Sequence, residues 1–337
     1  MTSLKFACLN LKPVRFNRAQ ARCVKIVVVD HVFLEEQHVR ELQAMGELRV
    51  YGDPPRSEED LKDRIRDADI VIVGWSHLTK AILDSVPKLK MIAIWATTCH
   101  YADLEEAKRR GIVVTHVPGY GTEAVAEQTI ALMLAAVRKL VLEDRHVREG
   151  KFDWRPFKGI ELAGKTLGIV GTGVIGCRVA EIGQALGMSI LGYDIQRNPK
   201  AQEIGIAYVD LETLLKQSDI VSLHVTLTPK SKQLIGEKEI GMMKNGAILV
   251  NTSQGKVVDE NALVVALSSG KLSCAGLDVF SEEPPASADP LFKLQNTVLS
   301  PHVGFHTIEA VKRCTDICVD NVKQFLEGHP RNICATQ

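Results

Sequence analysis

Short apolar runs alternate with amphipathic stretches along most of the chain, and each change of period marks an element. KIVVVD (25–30), ADIVIVG (68–74), KLKMIAIWA (88–96) and GIVVTHV (111–117) predict parallel strands buried on both faces. Helical spacing lies between them, as in Ser57 to Asp67 and Asp103 to Arg110. Pro118-Gly119-Tyr120-Gly121 interrupts the alternation, and one long helical pattern then runs from Thr122 to Glu149. A helix of that length suits a hinge between domains or an arm that packs on another subunit. Alternation resumes near Gly164, with strands predicted at Thr166 to Val170, Met188 to Tyr193, DIVSLHV (219–225), GAILVN (246–251), CAGLDV (274–279) and TVLS (297–300). A last helical pattern, Thr307 to Glu327, follows the final strand and is expected to cross back onto the first unit. The fold class read from this pattern is α/β, with two doubly wound parallel-sheet domains. The expected division is an N-terminal extension (1–24), a first domain made of 25–121 plus 306–337, and a second domain (122–305) inserted into it.

Composition narrows the function classes. The 337 residues carry 41 basic and 41 acidic side chains, which gives no general attraction to nucleic acid or to a membrane surface. No apolar run approaches the ~20 residues of a membrane span. The eight cysteines are scattered, with no CxxC pair and no metal-ligand spacing, so no metal is expected. Cys314 and Cys318 fall on one helix face, which reads as packing. A reducing compartment, the cytoplasm, is the expected location. Residues 1–23 carry Lys5, Lys12, Arg15, Arg18 and Arg22, and the first acid in the chain is Asp30. That is either a plain extension or an organellar targeting segment, although only Thr2 and Ser3 supply its hydroxyls.

The most informative stretch is LGIVGTGVIG followed by a second strand that ends on Asp194. Gly171-x-Gly173-x-x-Gly176 directly follows a strand and opens a helix, the context in which this spacing binds a dinucleotide. Gly171 permits the tight turn, Gly173 lets the backbone approach a pyrophosphate, and Gly176 allows close packing of helix on strand. The helix N-terminus offers free N–H groups and a positive dipole end to the phosphates. The Asp194 carboxylate can accept from both adenosine ribose hydroxyls and would repel a 2′-phosphate, so NAD is favoured over NADP.

Open α/β sheets bind ligands beyond the carboxyl ends of their strands. Asn251-Thr252-Ser253-Gln254, Asp278 with Glu283, and His302 all fall there. His302 is the natural proton carrier, and Glu283 can hold its far ring nitrogen and raise its pKa.

Taken together, the chain resembles the D-isomer-specific 2-hydroxyacid dehydrogenase family over roughly residues 25 to 330. The resemblance rests on GIVVTHVPGYGTEAVAE (111–127), LAGKTLGIVGTGVIG (162–176), SLHVTLTP (222–229), AILVNTSQGKVVDE (247–260), GLDVFSEEPP (276–285) and LSPHVGF (299–305). It implies a Rossmann NAD-binding domain inserted into a flavodoxin-like substrate domain. It further implies that Val174, Ile175, Asp194, Thr226, Pro229 and Thr252 touch the dinucleotide, and that Asp278 holds the nicotinamide amide. Glu283 and His302 would form the acid/base pair. Members are usually dimers built on the helix near residues 122–149, so a homodimer acting on a small molecule is implied.

Two departures stand out. The family's N-T-x-R-G arginine, which grips the substrate carboxylate and polarises the carbonyl, is here Gln254. A carboxamide supplies one hydrogen bond, with neither charge nor a bidentate fork. The family's glycine-rich carboxylate loop is replaced by Ala96-Thr97-Thr98-Cys99-His100, and Trp75-Ser76-His77 is equally unusual. Trp75, His77, Thr97 and Thr98 are therefore the expected substrate contacts, with His77, Lys80 and His100 as possible replacements for the missing cation. Either the substrate has changed or catalysis has decayed with NAD binding kept. The first gives an NAD-dependent oxidoreductase acting on a 2-hydroxy/2-oxo acid, with Gln254 beside His302 and Glu283. The second gives a non-catalytic NAD(H)-responsive protein.

Overall fold

In a computed structural model, which describes residues 24–334, the chain divides into two compact units. One comprises the chain up to Tyr120 together with Ile308 onward, the other Gly121–Thr307.

The first unit holds a five-stranded, all-parallel sheet: β1 (Lys25–Val28), β2 (Glu47–Val50), β3 (Ile70–Val73), β4 (Met91–Ile94) and β5 (Val113–Thr115). Its order, β2-β1-β3-β4-β5, is the flavodoxin-like winding. The interior strands read IVIV and MIAI and are buried at every position, because helices cover both faces. β2 carries no apolar run, and its ELRV leaves no residue fully buried at the sheet edge, which is why periodicity missed it. Ser57 and Asp103 cap the helices Glu58–Ile65 and Leu104–Arg109 by accepting from Asp60 N and Glu106 N. The C-terminal helix Ile308–Leu326 packs here too. Trp95 Nε1 donates to Thr315 Oγ1 at 2.9 Å, and Asn321 Nδ2 donates to the His116 carbonyl at 2.9 Å.

The second unit holds seven parallel strands: β6 (Thr166–Val170), β7 (Ser189–Tyr193), β8 (Ala207–Tyr208), β9 (Ile220–Leu223), β10 (Ala247–Asn251), β11 (Leu272–Leu277) and β12 (Thr297–Leu299). The order β12-β11-β10-β9-β6-β7-β8 reverses direction between β6 and β9, the switch point of a doubly wound sheet. Both units thus have the expected fold class. Among the described residues no helix is long and apolar enough to cross a membrane.

Two expectations are corrected. The long pattern Thr122 to Glu149 forms two helices, Thr122–Arg138 and Leu140–Arg148, broken where Lys139 takes a left-handed φ of 56°. No glycine or proline announces that break. The scattered cysteines, read as a sign of a reducing compartment, also include one pair, because Cys99 and Cys334 form a disulfide across 235 residues of sequence. Local spacing carries no signal for such a pair. Cys177, Cys274, Cys314 and Cys318 are free and buried.

Candidate functional site

The turn after β6 is shaped by three glycines. Gly171 sits at φ 98°, and a Cβ there would lie 2.6 Å from the His224 carbonyl oxygen. At Gly176 a Cβ would lie 2.0 Å from the Gly171 carbonyl oxygen, so the first helical turn closes on the loop only without one. Gly173 faces open space, with nothing within 4 Å of an added Cβ. It heads the helix Val174–Ala185 with no side chain capping the first-turn amides. The amides of Val174 and Ile175 therefore open on room for a pyrophosphate.

Asp194 follows β7 beside this turn. Its Oδ2 accepts from Thr172 N at 2.7 Å, and its Oδ1 from Gln196 N at 3.2 Å, which leaves acceptor capacity on Oδ1. Thr226 and Pro229 lie exposed on the loop after β9, the strand next to β6 across the switch point. Thr252, buried after β10, pairs its hydroxyl with Thr129 at 2.7 Å. These features fit a dinucleotide.

β10, β11 and β12 end in register, through Asp278 N to the Asn251 carbonyl (3.0 Å) and His302 N to the Asp278 carbonyl (2.8 Å). Their loops therefore emerge side by side. Asn251 pins the NTSQG loop, donating from Nδ2 to the Gln254 carbonyl at 3.0 Å and accepting from Ser253 N at 3.0 Å. The Gln254 carboxamide is half-buried and makes no hydrogen bond among the described residues.

Asp278 is almost wholly buried and accepts from Ser300 Oγ (2.5 Å), Val303 N (3.0 Å) and Gly304 N (2.8 Å). It thereby clamps the loop that carries His302, whose φ of 53° is left-handed. A non-glycine residue in that region costs about 1 kcal/mol, and such positions concentrate where geometry serves function. His302 Nδ1 lies 2.6 Å from Glu283 Oε2, and Glu283 Oε1 accepts from Phe280 N at 3.0 Å. The hydrogen bond to Glu283 raises the His302 pKa above the ordinary imidazole value, against the opposing effect of burial. Burial pushes the Glu283 carboxyl up, but hydrogen bonds from His302 and the Phe280 amide leave it lowered. The pair leaves the imidazole Nε2 to exchange a proton.

Trp75, His77, Thr97 and Thr98 lie in the first unit, on the loops after β3 and β4. The buried Asp30 carboxylate, at the end of β1, accepts from the amides of Gly74 (2.7 Å), Trp75 (3.0 Å) and Ser76 (2.6 Å). Those three amides are committed to Asp30 and are not open to a ligand. Sequence reasoning missed this clamp, although the acid closing KIVVVD was its signal. His77 and His100 gather with Tyr101, at ring-centroid distances of 5.7, 5.1 and 4.2 Å. Burial, helped by His77, lowers the His100 pKa.

Residues 130–304 match the family described as D-isomer specific 2-hydroxyacid dehydrogenase, NAD binding domain. The chain is 44% identical to a glyoxylate reductase of Thermococcus litoralis, over 89% of this chain and 94% of that protein. The chain belongs to the D-isomer-specific 2-hydroxyacid dehydrogenase family. It is also 37% identical to a hydroxypyruvate reductase of Blautia hydrogenotrophica, over 92% of this chain and 99% of that protein. Among solved structures it resembles D-lactate dehydrogenase from Aquifex aeolicus complexed with NAD and lactic acid, with a TM-score of 0.80 and 33% identity, covering 90% of this chain and 96% of that one. The protein is accordingly an NAD-dependent oxidoreductase of this family, and nothing among these relatives supports the non-catalytic alternative.

Asp194 is expected to set cofactor choice. Arg197 follows the same turn, but its guanidinium lies 5.4 Å over the Tyr208 ring. Asp194→Ala should therefore narrow the preference for NADH over NADPH by about 2 kcal/mol, roughly 30-fold. Fluorescence titration with both cofactors checks this, and equal wild-type affinities would contradict it.

Proposed function

We propose that this family member reduces a 2-oxo acid to the 2-hydroxy acid, with the substrate carboxylate held by an atypical set of side chains. When bound, NADH supplies the hydride. The residues of this chain bind, orient and move the proton. Val174, Ile175 and the Gly171–Gly176 turn would hold the pyrophosphate, Asp194 the ribose, and Thr226, Pro229 and Thr252 the rest of the dinucleotide. Asp278 would both fix the His302 loop and, with its remaining acceptor capacity, take the nicotinamide amide. His302 Nε2 would give its proton to the developing alkoxide, with Glu283 holding the ring and stabilising its charged form. Gln254 would orient the carbonyl with one N–H. Trp75, His77, Thr97 and Thr98 would contact the substrate. The observation that carries this reading is the 2.6 Å contact of His302 with Glu283 on a loop clamped by Asp278.

The pH dependence tests it. Reduction needs protonated His302, so kcat/KM should fall as pH rises through the raised pKa; oxidation needs the neutral ring and should rise through it. Glu283→Gln removes the partner that raises this pKa, so both limbs should move to lower pH, with reduction at pH 8 suffering more than at pH 6. Limbs that stay in place in Glu283→Gln would count against the assignment.

A cytoplasmic homodimer belongs to the same proposal. Around the helix Leu140–Arg148, Val147, Phe152 and Trp154 are 57%, 96% and 83% exposed, an apolar surface suited to a second copy of the chain.

A further inference from the structure

Cys99 belongs to the very loop, Ala96 to His100, that the preceding proposal gives to the substrate, and its partner is the last described residue, Cys334. The two Cα atoms lie 6.1 Å apart, within the ordinary range for a disulfide. The segment that brings Cys334 there is an ordered strap. It runs antiparallel to β5 through the Thr115–Ile333 bridge, with Cys334 N donating to the Val114 carbonyl (2.8 Å) and His116 N to the Asn332 carbonyl (3.0 Å). Asn332 Nδ2 also donates to Asn321 Oδ1 at 2.8 Å, which ties the strap to the C-terminal helix.

The loop is held unevenly. Its first residues are fastened by Val117 N to the Ala96 carbonyl (2.8 Å), Thr97 Oγ1 to the Val117 carbonyl (3.2 Å) and His116 Nδ1 to the Thr97 carbonyl (2.7 Å). Thr98 and His100, on either side of Cys99, make no hydrogen bond among the described residues. After the tip, Ala102 N donates to the Cys99 carbonyl (3.4 Å) and Leu78 N to the Tyr101 carbonyl (2.8 Å), so the disulfide is the one covalent restraint among weak or flanking contacts there. Among the described residues, the four free cysteines are poorly placed to compete for oxidation. Burial raises the thiol pKa of Cys177, pushes those of Cys274 and Cys318 up to about 11 and about 12, and raises that of Cys314 strongly.

We propose that Cys99–Cys334 is a reversible redox latch on the substrate loop, so that affinity for the 2-oxo acid follows the thiol–disulfide balance around the protein. The effect on substrate rests on the function proposed above; the latch itself does not. Closure takes a low-molecular-weight disulfide as oxidant. One cysteine thiolate attacks it, forming a mixed disulfide and releasing one thiolate. The second cysteine then displaces the other thiolate, so two protein thiols lose two electrons and two protons and one small disulfide becomes two small thiols. Excess small thiol reverses both steps.

The test equilibrates the full chain in glutathione buffers of graded ratio, quenches by alkylation and assigns each cysteine by peptide mass spectrometry. Each poised sample is assayed for KM, kcat and NADH affinity, and for amide hydrogen exchange across residues 96–103. Opening the latch should raise KM for the 2-oxo acid by about 5- to 20-fold, with kcat and NADH affinity nearly unchanged. It should also speed exchange at the loop tip. Cys334→Ser should give the open values at every ratio. Identical KM and identical exchange in samples verified as oxidised and reduced would overturn the proposal, as would a Cys99 that stays alkylatable in oxidised glutathione. If no 2-oxo acid is turned over at all, the functional reading fails, and loop exchange alone decides the latch.

Discussion

Gln254→Arg is expected to lower kcat/KM for the substrate that the wild type prefers by about two orders of magnitude, because a displacement near 1 Å at the reacting centre costs that much. The loop backbone around Gln254 is pinned by Asn251, so an arginine there would extend from a defined backbone position. If it met the substrate carboxylate, it would draw that group away from the contacts proposed for it and swing the carbonyl away from His302. If it met no anion, it would stand as an unpaired charge in a site that must exclude water, at a cost of several kcal/mol. Steady-state kinetics on the best wild-type substrate, and on glyoxylate, check this. A slight gain on glyoxylate is compatible with the account, limited by Ala96 and Thr98 where the family has glycine. A rise to the activity of an ordinary family member would show that Gln254 is a lesion and not an adaptation.

His302→Ala should reduce kcat by about 10²–10⁴-fold, the usual worth of a positioned acid or base, while NADH affinity stays within error of wild type. The separation follows from position. The groups suited to phosphate and ribose follow β6 and β7, whereas His302 follows β12 on a loop held by Asp278. NADH fluorescence titration beside single-turnover measurements reads both quantities in one preparation. Retention of most of the wild-type rate would remove His302 from the proton path.

How much of this could be read in the sequence depended on whether the controlling interaction is local. Strands buried on both faces announce themselves as apolar runs, so β3, β4, β9 and β10 were legible, and the strand-turn-helix context made the Gly171–Gly176 turn legible as well. β2 and β8 were not, because ELRV and AY leave no residue fully buried and so need no apolar run, unlike the edge strand β5, which is buried throughout. The break at Lys139 was hidden because a lysine in the left-handed region leaves no compositional trace. At the site, the residue types at Gln254, Glu283 and His302 were readable one by one. What positions them is not local: the Asp278 clamp on the His302 loop, the Asp30 clamp on the Trp75 loop, and the Cys99–Cys334 link each join segments distant in sequence.

A neutral Gln254, with the proposed His302–Glu283 proton relay, is expected still to support reduction of a 2-oxo acid. The most direct measurement follows nicotinamide absorbance of wild-type protein with saturating NADH against glyoxylate, hydroxypyruvate and a series of 2-oxo acids with larger side chains. Steady NADH consumption is expected with at least one of them, matched by formation of the 2-hydroxy acid. Tight NADH binding with no consumption on any member of the series would contradict it.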